Sequence, residues 1–259
     1  MTAAKKRTTK GPKKGESKAP AKPEVTIVIP VYNEEGILSA SLSDLLDKLE
    51  SVDFTYEIIV AENGSSDRTI EIAEEFSERF PQIRNFSCGE PNYGKALRQG
   101  IFRAQGEYII CDEIDLCDVD FYHDALAHLR QGYDLVVGSK RAPGARDRRP
   151  LYRRFATQVL NGMLRVAVGF QGTDTHGLKA FRRDALIDIV EECVVDKDMF
   201  ASEFVVRTHR SERSWVEVPI DLVEKRPPSI NLFRRVPNVL KNIARLTAII
   251  RLGRDLPGS

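Results

Sequence analysis

Four acidic side chains follow a short apolar run in the segment Tyr108–Asp118, YIICDEIDLCD. They are Asp112, Glu113, Asp115 and Asp118. The apolar run predicts a buried strand, and carboxylates beyond its end cannot stay buried without partners. Ligands of open α/β sheets bind beyond the carboxyl ends of the strands, where such acids can hold a divalent cation against a phosphate. In the alternative interpretation, the acids cap a helix predicted over about Val119–Gln131. This segment alone supports both interpretations.

The elements that position these acids alternate between strand and helix. Predicted strands cover Val25–Val31, Glu57–Glu62, Ile83–Cys88, the apolar run from Tyr108, Tyr133–Ser139 and Trp215–Pro219, with an extended stretch at Gly172–Phe181. Predicted helices end near Leu49 and near Phe80, the second with Ser65 or Ser66 as N-cap. Others cover Ala96–Ala104, which Asn92-Tyr93-Gly94-Lys95 opens, and Leu151–Gly169, Arg183–Glu192 and Met199–Arg210. This alternation predicts an α/β fold with a mostly parallel sheet and helices on both faces.

Charge divides the chain into a body and two basic ends. The 259 residues have a net charge of +1, but residues 1–23 and 225–259 each sum to +7 and leave the middle near −13. We expect residues 1–23 to be a disordered basic tail, because they contain no large apolar side chain. Residues 24–228 are predicted to form one domain. Residues 229–259 are predicted to form a basic amphipathic helix, which either lies in a membrane interface or docks on its own domain.

Several classes of protein are disfavoured by composition. No apolar run approaches the roughly 18 residues of a membrane span, and the basic N-terminus lacks the apolar region of a secretory signal. The four cysteines show no CxxC spacing, which favours reduced thiols in a cytoplasmic protein over a metal site. Basic segments interleaved with aromatic residues are missing, so nucleic acid is not an expected partner.

A series of motifs resembles a known family. In order, they are IVIPVYNEE, EIIVAENGSSDRT, NYGKALRQGI, the acidic cluster, VVGSKR, DTHGLKAFRRDAL and WVEVPI. Together they resemble the GT-A glycosyltransferases of family two over about residues 24–228, and most closely the dolichol-phosphate mannose synthase and polyprenyl-phosphate glycosyltransferase branch. The resemblance implies the GT-A fold, a Rossmann-like nucleotide-diphospho-sugar transferase fold.

The resemblance also implies a nucleotide-sugar site with a Mg²⁺ or Mn²⁺ ion. Its nucleotide-sugar contacts would be Pro30, Tyr32, Glu34, Glu62, Asn63, Gly94, Lys95 and Asp112. The family's D-x-D motif falls on Glu113-Ile114-Asp115, with Glu where Asp is usual, so Asp115 is the expected direct metal ligand. Asp112 could substitute for Glu113 if the register shifts by one residue. Asp115 and Asp174 are the expected catalytic residues.

An acceptor phosphate needs cations. The expected ones are Lys140, His176, Lys179, Arg226 and Arg234. Relatives often continue after Arg226 with Gly-x-Ser-Lys, whereas this chain reads Pro-Pro-Ser-Ile-Asn. The segment Lys140–Pro150 is interpreted either as a lid over a phosphate-bearing ligand or as a solvated linker.

The expected function is inverting, metal-dependent transfer of mannose or glucose from a GDP- or UDP-sugar to a polyprenyl or dolichyl phosphate. We expect a peripheral enzyme at the cytoplasmic face of the membrane. The sequence does not decide whether an integral-membrane partner presents the lipid. An ionised lipid phosphate needs no general base, whereas a hydroxyl acceptor would require Asp174 or Glu203. The alternatives are transfer to a non-lipid saccharide or small molecule, and a non-catalytic nucleotide-sugar binding protein.

Overall fold

The computed structural model describes residues 22–147, 150–222 and 232–252. Its strands are β1 Val25–Val31, β2 Tyr56–Glu62, β3 Ile83–Ser87, β4 Tyr108–Cys111, β5 Leu135–Ser139, β6 Arg146–Asp147, β7 Lys179–Arg182, β8 Trp215–Pro219 and β9 Asp221–Leu222. Its helices are α1 Leu38–Leu49, α2 Thr69–Arg79, α3 Tyr93–Arg103, α4 Val119–Arg130, α5 Leu151–Val168, α6 Arg183–Glu192, α7 Phe200–Arg210 and α8 Leu232–Leu252, with a 3-10 turn at Lys197–Met199.

Seven of these strands form one sheet in the order β3-β2-β1-β4-β7-β5-β8. Strand β1 is buried along its whole length because β2 and β4 flank it and helices cover both faces. One core lies between the sheet and α1, α2 and α4, and the other lies between the sheet and α3, α5, α6 and α7. The predicted α/β fold with a mostly parallel sheet is therefore confirmed.

Strand β7 departs from parallel order. It is antiparallel to both β4 and β5, and its first residue, Lys179, pairs with Cys111 and Val137. The chain therefore enters β7 at the edge where β4 and β5 end. Most of the predicted extended stretch Gly172–Phe181 is a loop at this edge, so residues of the loop stand beside the acids that follow β4.

The starts of two helices compare differently with the predictions. The N-cap prediction for Ser65 or Ser66 is wrong, because α2 begins at Thr69 and both serines bond to Asn33 instead. The next helix, α3, begins at Tyr93, within the segment Asn92–Lys95 that is predicted to open it. Its N-cap is Asn92, whose side chain accepts a hydrogen bond from the backbone N–H of Lys95 at 3.0 Å.

Helix α8 docks on the domain along its described apolar stripe. Ile243 and Leu246 are buried in the same core as Leu164 and Val168 of α5. This packing corresponds to the second alternative considered for the basic C-terminal segment. Within the described ranges, no helix combines the length and the apolar character that crossing a membrane requires.

Candidate functional site

The acids after β4 divide into two groups with different surroundings. Asp112 is buried, and its carboxylate accepts hydrogen bonds from the N–H of Glu113 at 2.6 Å, from the N–H of Asp118 at 3.2 Å and from the hydroxyl of Tyr122. Burial raises its pKa to about 7 even though these bonds favour the carboxylate. Asp118 caps α4 by accepting from the N–H of Phe121 at 3.1 Å. The capping interpretation therefore describes Asp118, whereas the donors to Asp112 hold its carboxylate within the loop.

The other two acids are Glu113, which is exposed, and Asp115, which is half-buried. Crowding by the surrounding protein raises the pKa of Glu113, and Asp115 raises it further, whereas Lys140 and Lys179 oppose the shift. Two carboxylates therefore lie near each other, with two cations close to Glu113.

This pair fits a divalent cation that also takes ligands from a substrate. Mg²⁺ is commonly held by one or two carboxylates together with substrate phosphates. Among the residues that the structure describes, no three His, Cys, Asp or Glu side chains converge as a self-sufficient metal cluster. Glu113 and Asp115 would thus hold the ion only together with phosphate oxygens.

Asp174 lies in the loop before β7 and forms a buried ion pair. The Nζ atom of Lys140 lies 3.2 Å from its Oδ2 atom, and the two side chains are only 9% and 1% exposed. Burial by itself would raise the pKa of Asp174, but Lys140 and the backbone N–H of His176 bring it below the usual value. A carboxylate held in this way is a poor proton acceptor.

The loop that carries Asp174 is fixed by Glu217 of β8. The carboxylate of Glu217 accepts from the N–H and the hydroxyl of Thr173, both at 2.6 Å, and from the N–H of Asp174 at 3.3 Å. Thr173 also bonds to the hydroxyl of Ser139 at the end of β5, at 2.7 Å. Gly177 is required at the end of this loop, because a Cβ atom there would lie 1.8 Å from the carbonyl oxygen of Gly138.

Lys179 lies beneath the site instead of on its surface. Its side chain is 3% exposed and donates to the carbonyl of Gly177 at 2.7 Å. Burial lowers its pKa, while nearby Asp174 and Glu113 favour its charged form. The prediction that Lys179 grips an acceptor phosphate is not supported by this position, and the side chain instead supplies countercharge under the acids.

The loops after β1 and β2 are joined by reciprocal hydrogen bonds. Asn33, in a left-handed conformation with φ of 53°, donates its N–H to Ser65 and accepts from the N–H of Ser66. The N–H of Glu34 donates to the hydroxyl of Thr69 at 2.7 Å. Tyr32 is exposed between these loops, whereas Pro30 is buried in β1. The two loops therefore form one preformed edge.

Glu62 and Asn63 end β2 at this edge and are both buried. Burial opposes ionisation of Glu62, but hydrogen bonds from Ser87 and Ser65 outweigh it and hold the pKa below the usual value. The backbone N–H of Asn63 donates to Val31 at 3.0 Å. Glu62 is therefore ionised and held in place by β3.

Helix α3 brings Lys95 to the same edge. The ammonium group of Lys95 pairs with Glu90 near the surface. Gly94 faces the protein, since a Cβ atom there would lie 2.7 Å from Phe200 and 2.8 Å from the carbonyl oxygen of Lys197. Gly94, which the resemblance places near the nucleotide, therefore packs closely against Phe200 and the 3-10 turn.

A cationic cavity lies between the chain after β5 and the start of α5. It measures about 240 Å³, and its walls are Lys140, Arg141, Ala142, Ala145, Arg154 and Gln158. Sequence patterns singled out only Lys140 among these. Arg141 belongs to the VVGSKR motif without a predicted role, whereas Arg154 and Gln158 belong to no motif. Their convergence with Lys140 depends on how α5 folds back.

The remaining predicted site residues have different positions. His176 is exposed, and its Nδ1 atom lies 3.0 Å from the hydroxyl of Thr175. Arg226 lies outside the described residues, and of Arg234 only the helical backbone is described. Glu203 is buried and accepts from the N–H groups of Val194 and Val195 and from Arg207, so its carboxylate has no free side toward the site.

The segment Lys140–Pro150 is tethered at its centre. Strand β6 pairs with β9, and the N–H of Arg146 donates to the carboxylate of Asp221 at 3.2 Å. The first part of the segment consequently forms a fixed wall of the cationic cavity.

The fold and site together have the arrangement of a GT-A glycosyltransferase domain: a mostly parallel sheet with a carboxylate pair beyond β4 and an antiparallel β7 returning beside it. The sequence profile described as Glycosyl transferase family 2 matches residues 26–190. The chain belongs to that family, which confirms the resemblance inferred from the motifs.

Curated relatives cover most of this chain but exceed it in length. It is 29% identical over 229 residues to the glycosyltransferase AglD of Haloferax volcanii, covering 86% of this chain and 36% of the relative. It is 28% identical over 216 residues to the dolichyl-phosphate beta-glucosyltransferase ALG5D of Trichomonas vaginalis, covering 76% and 65%. An undecaprenyl-phosphate 4-deoxy-4-formamido-L-arabinose transferase of Edwardsiella ictaluri is 30% identical over 210 residues, with 78% and 60% covered. The chain thus spans between a third and two thirds of these relatives.

Solved structures agree on the fold. A glucosyl-3-phosphoglycerate synthase of Mycobacterium tuberculosis, crystallised with Mn²⁺, UDP and phosphoglyceric acid, superposes with a TM-score of 0.62 at 19% identity, covering 92% of this chain and 81% of that one. A mannosyltransferase of Pyrobaculum calidifontis in complex with GDP-Man and Mn²⁺ gives 0.57 at 20% identity, covering 92% and 67%. At such identities the likeness concerns the fold.

Proposed function

We propose that this chain transfers a hexose, mannose or glucose, from GDP- or UDP-sugar to the phosphate of a polyprenyl or dolichyl lipid. The observation that carries the proposal is the ion pair between Lys140 and Asp174, which lies next to both an acidic site and the cationic cavity. Lys140 pairs with Asp174, both lie near the carboxylate of Glu113, and Lys140 also lines the cationic cavity. A donor diphosphate with its cation and an anionic acceptor would therefore meet at Lys140. Two curated relatives whose names specify a lipid phosphate add support.

The donor would lie along the joined edge of β1, β2 and α3. Glu62, ionised and held by Ser65 and Ser87, would shape the end of this edge where the base and ribose lie, and Lys95 would approach the phosphates after release from Glu90. Glu113 and Asp115 would hold Mg²⁺ or Mn²⁺, which when bound supplies neutralisation of the diphosphate leaving group. Two GT-A structures solved with Mn²⁺ favour a divalent ion.

The acceptor would bring its own negative charge to the cationic cavity. A phosphomonoester with a second pKa of ~6 is mostly ionised at neutral pH, so its oxygen can attack the anomeric carbon without a protein base. The states of the two candidate bases support this proposal. The carboxylate of Glu203 is engaged by α7 and the preceding loop, and Lys140 lowers the pKa of Asp174 and so weakens its affinity for a proton. A hydroxyl acceptor would need a base that neither residue provides.

The test compares acceptors that differ only in the phosphate. The purified chain is incubated with labelled UDP-glucose or GDP-mannose, with Mn²⁺, Mg²⁺ or EDTA, and with a short polyprenyl phosphate, the corresponding polyprenol or a soluble saccharide. We expect transfer to the polyprenyl phosphate alone and only with the metal. Equal transfer to the polyprenol or the saccharide would favour the non-lipid alternative, and nucleotide binding without turnover on any acceptor would favour a binding protein.

One variant pair tests the cavity itself. Arg154→Met removes a cation from the cavity wall and should raise KM for the polyprenyl phosphate by roughly tenfold to a hundredfold, the cost of one charge-assisted hydrogen bond. Arg213→Met is the matched control, because its ion pair with Asp188 lies on the remote surface. An unchanged KM in Arg154→Met would remove the cavity from the acceptor site.

A further inference from the structure

Helix α5 carries an apolar stripe that faces solvent. Its members are Leu151 at 77% exposure, Tyr152 at 56%, Phe155 at 66%, Val159 at 45% and Val166 at 79%. At 3.6 residues per turn, these five positions fall within an arc of about 100° that runs the length of the helix. The opposite side of α5 is buried through Leu164 and Val168. One amphipathic helix therefore has a second apolar face that nothing in the described chain covers.

The size of this patch distinguishes between two kinds of occupant. Two aromatic and three aliphatic side chains at these exposures present on the order of 600 Å², the upper end of the largest patch on typical monomers. A stable dimer buries about 800 Å² on each partner. A narrow stripe on a single helix suits insertion into a membrane interface better than pairing with a second copy.

Charge beside the stripe favours an anionic lipid surface. Arg154 and Gln158 occupy the next arc of α5, and with Lys140 and Arg141 they line the cationic cavity. Basic side chains flanking an apolar helical face add electrostatic attraction to anionic headgroups. The stripe and the cavity are adjacent, so a lipid phosphate at the bilayer surface would meet the cavity without leaving the membrane.

We propose that α5, and not α8, is the element by which this protein lies on an anionic membrane surface. The apolar stripe of α8 already packs on the domain, since Ile243 and Leu246 are buried in the same core as residues of α5. Among the α8 residues whose side chains are described, Leu240 is the large apolar residue that stays well exposed. The proposal rests on the proposed function in its choice of a lipid as the occupant. It assigns the orientation on the membrane, with the cationic cavity facing the headgroups.

Vesicle flotation tests the proposal without using turnover. The whole chain is mixed with phosphatidylcholine vesicles containing about one third phosphatidylglycerol, and with phosphatidylcholine alone, as anionic and neutral surfaces. Phe155→Glu should weaken binding to the anionic vesicles by about tenfold or more. It replaces an aromatic side chain that would be buried in the membrane by a negative charge, which anionic headgroups repel. Leu240→Glu is the matched control on α8 and should change binding by less than about twofold, as expected for a residue outside the contact.

The remaining outcomes are decisive as well. Wild-type binding by Phe155→Glu, or loss of binding only in Leu240→Glu, overturns the assignment to α5. A wild-type dimer that Phe155→Glu converts to a monomer, with no vesicle binding by either, identifies a second copy as the occupant and also overturns it. Unaltered melting temperatures establish that both variants fold. Sugar transfer to a detergent-solubilised polyprenyl phosphate is measured separately, so its failure would count against the proposed function while vesicle binding still decides the role of α5.

Discussion

Replacing Lys140 by Met tests the buried ion pair at the centre of the site. The substitution keeps most of the side-chain volume and removes the ammonium group that lies 3.2 Å from the buried carboxylate of Asp174. Removing one partner of a buried pair leaves an uncompensated charge and costs about 3–5 kcal/mol. With an m-value of ~3 kcal/mol/M, the urea midpoint should fall by roughly 1 to 1.7 M.

The double variant Lys140→Met/Asp174→Asn separates stability from function. Asparagine is neutral and can still accept the hydrogen bond that the N–H of His176 donates at 2.9 Å. We expect it to recover the unfolding free energy to within about 1–2 kcal/mol of wild type, since no unpaired charge remains. Transfer to the polyprenyl phosphate should stay impaired, because the cation in the cavity wall is still missing.

Acidification provides an independent readout of the same pair. In the wild type the pKa of Asp174 is lowered, so its contribution to stability is present above the unfolded pKa of about 3.9 and is lost as pH falls. In Lys140→Met the pKa should be raised, so that contribution is present at low pH and lost as pH rises. Relative to the double variant, the wild type and the single variant should therefore show pH slopes of opposite sign.

Two results would refute this reasoning about Lys140 and Asp174. One is a single variant that unfolds at the wild-type urea concentration with the same m-value. The other is a double variant no more stable than the single one. Lys48→Met serves as the control, because Lys48 forms an exposed pair with Asp44 and should cost only about 0.5 kcal/mol.

Three further predictions concern separate parts of the molecule. Asp115→Asn should reduce metal-dependent transfer by about a hundredfold or more, while the melting temperature stays within ~2 °C because the side chain is only half-buried and asparagine has nearly the same size. Activity that survives both this change and EDTA would contradict the metal role of Asp115. Gly94→Ala should destabilise the fold by about 1–3 kcal/mol through overlap with Phe200, measured by urea unfolding; an unchanged midpoint would show that the 3-10 turn can yield. His209 lies stacked between Phe170 and Trp215 with neither ring nitrogen hydrogen-bonded in the described part of the chain, and burial lowers its pKa to about 4. The contribution of the neutral imidazole to stability is thus fully present above its unfolded pKa of about 6.5, and it falls by up to ~3 kcal/mol as pH drops toward the folded pKa. Between neutral pH and a pH of about 4, the wild type should therefore lose more unfolding free energy than His209→Phe. Equal losses would contradict the burial argument.

The sequence determined the architecture because its signals are local. Continuous β-branched runs such as Val25–Val31 indicate strands buried on both faces, and their alternation with amphipathic segments requires crossover helices and hence parallel neighbours. The acids after Tyr108 could be assigned to the ligand edge for the same reason, since every parallel strand ends there. The order of motifs then identified the family, which the match over residues 26–190 confirms.

Tertiary structure decided which side chains are available, because availability depends on partners far away in the chain. Asp112 and Glu113 are adjacent acids with different surroundings. The carboxylate of Asp112 is occupied by Tyr122 and by N–H groups of the loop after β4, whereas Glu113 is exposed to solvent. The reversal of β7 could not be deduced from its own residues, and it placed Lys179 under the site. The helical spacing of apolar residues also cannot show which of two apolar faces of a helix packs against the rest of the protein. Docking of α8 on Leu164 and Val168 decided that for α5, and left its outer stripe open beside the cationic cavity.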